Sequence, residues 1–166
     1  MQLYLIRHAE AVPLGEQGIQ DDEQRPLTPH GEEQCQSLAR ALQRLGVRAD
    51  VLLVSPLVRA RQSAERLISG SVRVKECEVL APGGRKRDIL EQVRETKANA
   101  VGLVGHNPDL SELVGWFIGD KNAGIDLEKA GVACITFDGK PAKGGGVLAW
   151  LITPQWSAAV GGERGQ

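Results

Sequence analysis

Net charge is nearly absent from this chain: 20 Lys and Arg against 21 Asp and Glu leave −1 with histidine neutral. Proteins that bind nucleic acid through bulk electrostatics need an excess of cations, so recognition here is local and that class is set aside. Cysteine is also scarce. Cys35, Cys77 and Cys134 are odd in number and widely spaced, and they form no C-x-x-C pair. That pattern excludes a disulfide scaffold and suits reduced thiols, which makes a cytoplasmic protein the expectation. Long apolar runs are missing. None approaches the roughly 20 residues of a membrane span, and the first ends at Arg7, too short for the core of a signal peptide. There are only three histidines, His8, His30 and His106, with no His-x-x-x-His spacing, which argues against a metal site. No repeat, coiled coil or linker divides the chain, so one domain over residues 1–166 and a monomer are expected.

What is present suits a compact core. Hydrophobic residues make 42% and charged residues 25% of the 166, near the globular average and enough to fold without disulfides or a structural metal. Strand patterns alternate with helical ones. Residues 3–6, 51–54 and 100–104 read as buried strands, 72–74 as a short one, and 133–137 and 147–152 as a late pair around the Gly-rich loop 139–146. Thr28-Pro29 caps a helix whose apolar residues Cys35, Leu38, Ala39, Leu42 and Leu45 recur at helical spacing until Gly46. Ser55-Pro56 repeats the start signal for a helix running to Gly70, residues 88–97 form another, and Asn107-Pro108 opens a fourth that stops at Gly119. From Gln155 on there is little pattern. The order predicts an α/β fold: a three-layer α/β/α sandwich on a largely parallel, mixed sheet of about six strands.

The polar residues fall at one edge of that scheme. The apolar run Leu3-Tyr4-Leu5-Ile6 delivers Arg7 and His8 at a strand end, where nothing structural asks for them. Arg59 lies in the first turn of the helix after the second strand, and His106 ends the strand at 100–104. Open parallel sheets bind ligands at the carboxyl ends of their strands, where helix N-termini also favour anions. Arginine offers a planar fork matched to phosphate, and neutral imidazole is a nucleophile. The combination predicts a phosphate pocket.

Four segments, Leu5-Ile6-Arg7-His8-Ala9-Glu10, Arg25-Pro26-Leu27-Thr28, Ser55-Pro56-Leu57-Val58-Arg59-Ala60 and Gly105-His106-Asn107-Pro108, resemble in order and spacing the histidine phosphatase superfamily, which has the phosphoglycerate-mutase-like fold. The short length and the Arg-Pro-Leu-Thr loop look most like its SixA-type phosphohistidine phosphatase branch. The resemblance implies a phosphatase that carries the phosphoryl group on His8, with Arg7, Arg59 and His106 as catalytic and phosphate-binding residues and Arg25 as a further phosphate-binding arginine. It implies no metal and no cofactor. The partner it implies is a protein bearing phosphohistidine, either a phosphotransfer domain or a phosphocarrier.

Departures from the wider superfamily sharpen this reading. Ala9 stands where many relatives carry glycine, the mutase-like extension after the Arg-His motif is missing, and residues 74–84 offer no clear general-acid glutamate. Glu76 and Glu78 are the candidates, and they support the alternative of a small-molecule phosphomonoesterase. An alkoxide leaving group wants an acid. Phosphohistidine does not, because its ring can be protonated beforehand on the distal nitrogen and leave as neutral imidazole. His30 reads as an exposed residue at a helix start, Glu10 has no assigned role, and Arg85-Lys86-Arg87 reads as a solvated helix entrance.

Overall fold

The computed structural model describes residues 1–67 and 72–161. Six strands, β1 (Gln2–Arg7), β2 (Val51–Val54), β3 (Arg73–Glu76), β4 (Ala100–Gly105), β5 (Val132–Phe137) and β6 (Gly146–Ile152), form one sheet in the order β3-β2-β4-β1-β5-β6. β1 to β4 run parallel, and β5 and β6 are antiparallel additions beside β1. Five α-helices complete the chain: α1 (Pro29–Arg44), α2 (Val58–Leu67), α3 (Lys86–Glu95), α4 (Asp109–Ile118) and α5 (Pro154–Gly161).

The two-residue period of the strands divides the core into two layers. Leu3 and Leu5 of β1 face α3 and α4 and pack with Ile89, Val93, Leu110, Leu113 and Phe117. Tyr4 and Ile6 face the opposite way, toward Leu38 of α1 and Ala60 and Ala64 of α2. Each fully buried leucine or isoleucine contributes about 1.5–3 kcal/mol relative to exposure, so both faces of β1 anchor it. The sheet is therefore covered on both sides, as the buried strands predict.

Local signals set some of the helix starts and tertiary contacts set others. Thr28 accepts from Gly31 N at 3.0 Å and α1 begins at Pro29. Gly31 has no room for a side chain, since a Cβ would lie 2.0 Å from the Glu10 carbonyl oxygen. Gly119 ends α4 in the left-handed region, with φ of 85°. α2, by contrast, starts at Val58, later than the Ser55-Pro56 signal, and the shorter bond of the Ser55 hydroxyl goes to His106. α3 begins two residues earlier than its pattern suggests, at Lys86, where the Asp88 carboxylate in the first turn accepts from Arg85 Nε at 2.8 Å. Lys86 itself pairs with Glu112 at 2.7 Å. β3 is longer than expected, Arg73–Glu76, and its four residues are all exposed, so main-chain pairing with β2 places it rather than any apolar pattern. Gly70, expected to stop α2, lies outside the described residues.

The segment from Gln155 on corrects the sequence reading. Pro154–Gly161 is helix α5, held against α1 where Arg40 Nε donates to the Gly161 carbonyl at 2.8 Å and Arg44 donates to that of Val160. Gly161 permits this approach, because a Cβ there would sit 2.5 Å from the Ser37 carbonyl oxygen. Among the described residues, no helix is long and apolar enough to cross a membrane, and all three cysteines are buried and unpaired.

Candidate active site

Strand register builds the site. β1 and β4 lie side by side with Arg7 opposite Gly105, so the next residue of each strand, His8 and His106, emerge as neighbours. Their rings are 5.0 Å apart between centroids, and both are buried. β2 ends one position short of Ser55, whose N–H donates to the Val104 carbonyl at 3.0 Å and whose Oγ lies 2.7 Å from His106 Nε2. Arg59, on the first turn of α2, reaches over the same strand ends and places its Nε 3.3 Å from His8 Nε2.

His8 is held in one tautomer. Its Nδ1 lies 2.6 Å from the Ala9 carbonyl, which can only accept, so Nδ1 carries the proton and Nε2 keeps its lone pair. Burial pushes the His8 pKa down to about 3, and His106, Arg59 and Arg7 lower it further by disfavouring a second positive charge, against the pull of the Ala9 carbonyl. His106 is likewise brought down to about 4 by burial and by the Arg59 and Arg7 guanidinium groups, which Asp22 partly offsets. Both imidazoles are neutral at neutral pH. Ser55 Oγ accepts from Leu57 N at 3.4 Å and shares a hydrogen bond with His106 Nε2; with the hydroxyl as donor in that bond, the His106 proton lies on Nδ1.

Two nitrogens here have no hydrogen-bond partner among the described residues. His106 Nδ1 and Arg7 Nε are buried and unbonded, a costly arrangement unless a ligand supplies the acceptor. Arg7 Nη1 donates to the Leu127 carbonyl at 3.0 Å. The same carbonyl accepts from Asn107 Nδ2 at 2.9 Å, which joins the segment before β5 to the start of α4.

The residues that the sequence placed at this edge thus divide. His8, His106, Arg59 and Arg7 converge. Arg25 stands one step away: its Nε donates to the Val12 carbonyl at 2.6 Å and its Nη1 to Asp22 Oδ1 at 2.8 Å, and Asp22 in turn holds Arg59. His30 is solvent-exposed beside Glu33. Glu10 accepts from Thr28 Oγ1 at 2.8 Å and braces the start of α1. Glu76 pairs with Arg61 at 3.6 Å, and among the described residues neither it nor Glu78 bonds to His8, His106, Arg7 or Arg59. No cluster of three metal-ligating side chains occurs among the described residues.

Three contributors escaped the sequence reading. Ser55 looked like a helix cap, although a serine directly after a buried strand is placed as His8 and His106 are. Ser63, four residues after Arg59 and therefore on the same helical face, accepts from Ala9 N at 3.0 Å and donates to the Arg59 carbonyl at 2.7 Å. Asp22 lies in an exposed polar loop with no local signal.

Comparison with known proteins agrees with this geometry. The sequence model of the histidine phosphatase superfamily (branch 1) matches residues 3–82. An uncharacterized protein of Picosynechococcus is 35% identical over 80% of this chain and 82% of its own length. The phosphohistidine phosphatase SixA of Escherichia coli K12 is 25% identical over 93% of this chain and 94% of its own. A solved structure of the protein histidine phosphatase SixA complexed with tungstate superposes with a TM-score of 0.81 at 23% identity, covering 93% of this chain and 98% of that one. The chain belongs to the histidine phosphatase superfamily and is a phosphatase with the phosphoglycerate-mutase-like α/β fold.

Proposed function

We propose that this protein is a phosphohistidine phosphatase acting on a phosphorylated protein, such as a phosphotransfer domain or phosphocarrier, with His8 as the nucleophile. The observation that carries the reading is the state of His8: neutral, fixed through Nδ1, and presenting Nε2 beside Arg59 and next to two buried donors that lack acceptors. His8 Nε2 attacks phosphorus in line, the N–P bond to the substrate breaks, and imidazole already protonated on its distal nitrogen departs neutral. Arg7 Nε, Arg59 and His106 Nδ1–H hold the equatorial oxygens, where fixed donors act without reorganising. Water then attacks the phosphohistidine on His8 and releases inorganic phosphate. Arg25 lends its positive charge from the rim.

Among the described residues no free carboxylic acid bonds to the site, which supports a phosphohistidine rather than a sugar phosphate. Asp22 is the carboxylate bonded to Arg59 there, and hydrogen bonds from Arg25 and Arg59 lower its pKa, so it is ionised and a poor proton donor. Glu76 is engaged with Arg61. The three buried thiols suit a reducing cytoplasm, and the protein works there as a single-domain monomer without a cofactor.

The test is release of phosphate from a phosphohistidine-bearing phosphotransfer protein and from a panel of sugar phosphates, with and without chelator. Chelator-resistant turnover of the phosphoprotein that disappears in His8→Ala is expected. Preference for a sugar phosphate would move the reading to a phosphomonoesterase, and activity surviving in His8→Ala would end it.

A further inference from the structure

Asp22 holds the very guanidinium that a phosphoryl group would need. Its Oδ2 accepts from Arg59 Nη2 at 2.9 Å, its main-chain carbonyl accepts from Arg59 Nη1 at 2.6 Å, and its Oδ1 accepts from Arg25 Nη1. Both terminal nitrogens of Arg59 are thereby engaged from one residue, while Nε faces His8. Arg59 is buried, and the Asp22 side chain is 48% exposed, so the carboxylate closes over the arginine from the solvent side. It comes from a polar loop whose base is closed by Val12 N donating to the Pro26 carbonyl at 2.8 Å and by the bridge between Ala11 and Leu27. Residues between these ends are largely exposed, and the bonds to Arg59 and Arg25 tie the loop down over the pocket.

A guanidinium binds a carboxylate and a phosphoryl group with the same two-pronged geometry. In this structure the Asp22 carboxylate takes one prong, Nη2, and its main-chain carbonyl the other, so a phosphoryl group that uses both must displace the residue, and a negative charge left in place would repel the incoming dianion. We propose that Asp22 is a displaceable competitor for the Arg59 fork: it occupies the fork in the ligand-free protein, yields it to the phosphoryl group, and returns to help expel inorganic phosphate. This inference rests on the reading of the pocket as the phosphoryl site and adds a residue that sets how tightly that site holds its product. A brace that merely kept Arg59 in place would have the opposite effect on anion binding, which makes the two roles separable.

The experiment is calorimetric titration of inorganic phosphate into wild type, Asp22→Asn, Asp22→Ala and Asp21→Asn. Asp21 is the right control, because it caps the short turn through Glu23 N at 2.9 Å and carries the same charge without touching Arg59. The expected result is a phosphate Kd about tenfold lower in both Asp22 variants, of the order of one charge-assisted hydrogen bond, with Asp21→Asn within about twofold of wild type. An unchanged or raised Kd in the Asp22 variants overturns the competitor, as does equal tightening in Asp21→Asn, which would trace the effect to charge alone. Wild-type binding with no gain in the variants removes this inference and leaves the phosphatase reading standing. Failure of every protein to bind phosphate removes both.

Discussion

The Nδ1–H of His8 donates to the main-chain carbonyl of Ala9 at 2.6 Å, one residue further along the chain. This bond decides which nitrogen can react, because a proton fixed on Nδ1 leaves the lone pair on Nε2, the nitrogen that faces Arg59. A phosphoryl group transferred to His8 is therefore expected on Nε2. Brief incubation with a radiolabelled phosphohistidine protein, followed by alkaline quench, should yield labelled enzyme whose phosphate sits on that nitrogen by NMR. His8→Ala should carry no label and lose activity by about a thousandfold or more, as expected when a covalent nucleophile is removed. Label elsewhere on the wild-type chain would contradict the assignment.

Two buried neutral imidazoles make folding sensitive to acid. The folded pKa of His8 is about 3 and that of His106 about 4, both below the value of roughly 6.5 that an unfolded chain would show. The unfolded state thus takes up protons first. Stability is fully present above about pH 6.5 and is lost as pH falls from there toward the folded values, by about 2 kcal/mol for each histidine near pH 5. Urea unfolding at about pH 8 and about pH 5 should show this fall, and His106→Asn should remove about half of it. A midpoint independent of pH across that window would mean that the imidazoles are not buried in neutral form.

Much of this was legible in the sequence because the determinants were local. A run of four apolar residues ending in Arg7-His8 gave both the strand and the two side chains it delivers, and the Thr28-Pro29 start of α1 was read directly. β3 and α5 were harder for physical reasons. β3 is an exposed edge with no apolar alternation, and α5 is short and owes its place to contacts with α1 that lie more than a hundred residues away in the chain. The loop motif implies a phosphate-binding Arg25, while the link of Arg25 to Arg59 through Asp22 depends on how the loop folds back over α2, which no local pattern encodes. Ser55-Pro56 carries a local helix-start signal, whereas the shorter bond of its hydroxyl goes to His106 just past β4, a partner that no local pattern encodes.

Ser55 yields the next prediction. Its hydroxyl bonds His106 Nε2 and, as donor there, directs the His106 proton to Nδ1, which has no acceptor among the described residues. Ser55→Ala leaves Nε2 buried without a partner, which costs about 1–3 kcal/mol of stability. It also frees His106 to adopt the wrong tautomer. The expected kinetic result is a fall in kcat of about tenfold to a hundredfold, the scale of a lost transition-state donor or less, with KM changed much less. Stability and kcat both at wild-type values would show that Ser55 neither holds nor orients His106.

Ser63 ties the two halves of the site together, accepting from Ala9 N and donating to the Arg59 carbonyl with one hydroxyl. It is almost completely buried, at 1% exposure, so neither partner can turn to water if the hydroxyl is removed. Ala9, which Ser63 holds through its N–H, also supplies from its next peptide the carbonyl that fixes His8. Ser63→Ala is therefore expected to lower unfolding free energy by about 1–3 kcal/mol and to loosen the nucleophile at the same time. Because the phosphate-binding side chains stay in place, inorganic phosphate should bind within about twofold of its wild-type affinity while kcat falls about tenfold, a split that thermal unfolding alone would not produce. Loss of phosphate affinity in parallel with kcat would instead place the effect of Ser63 on Arg59 rather than on His8.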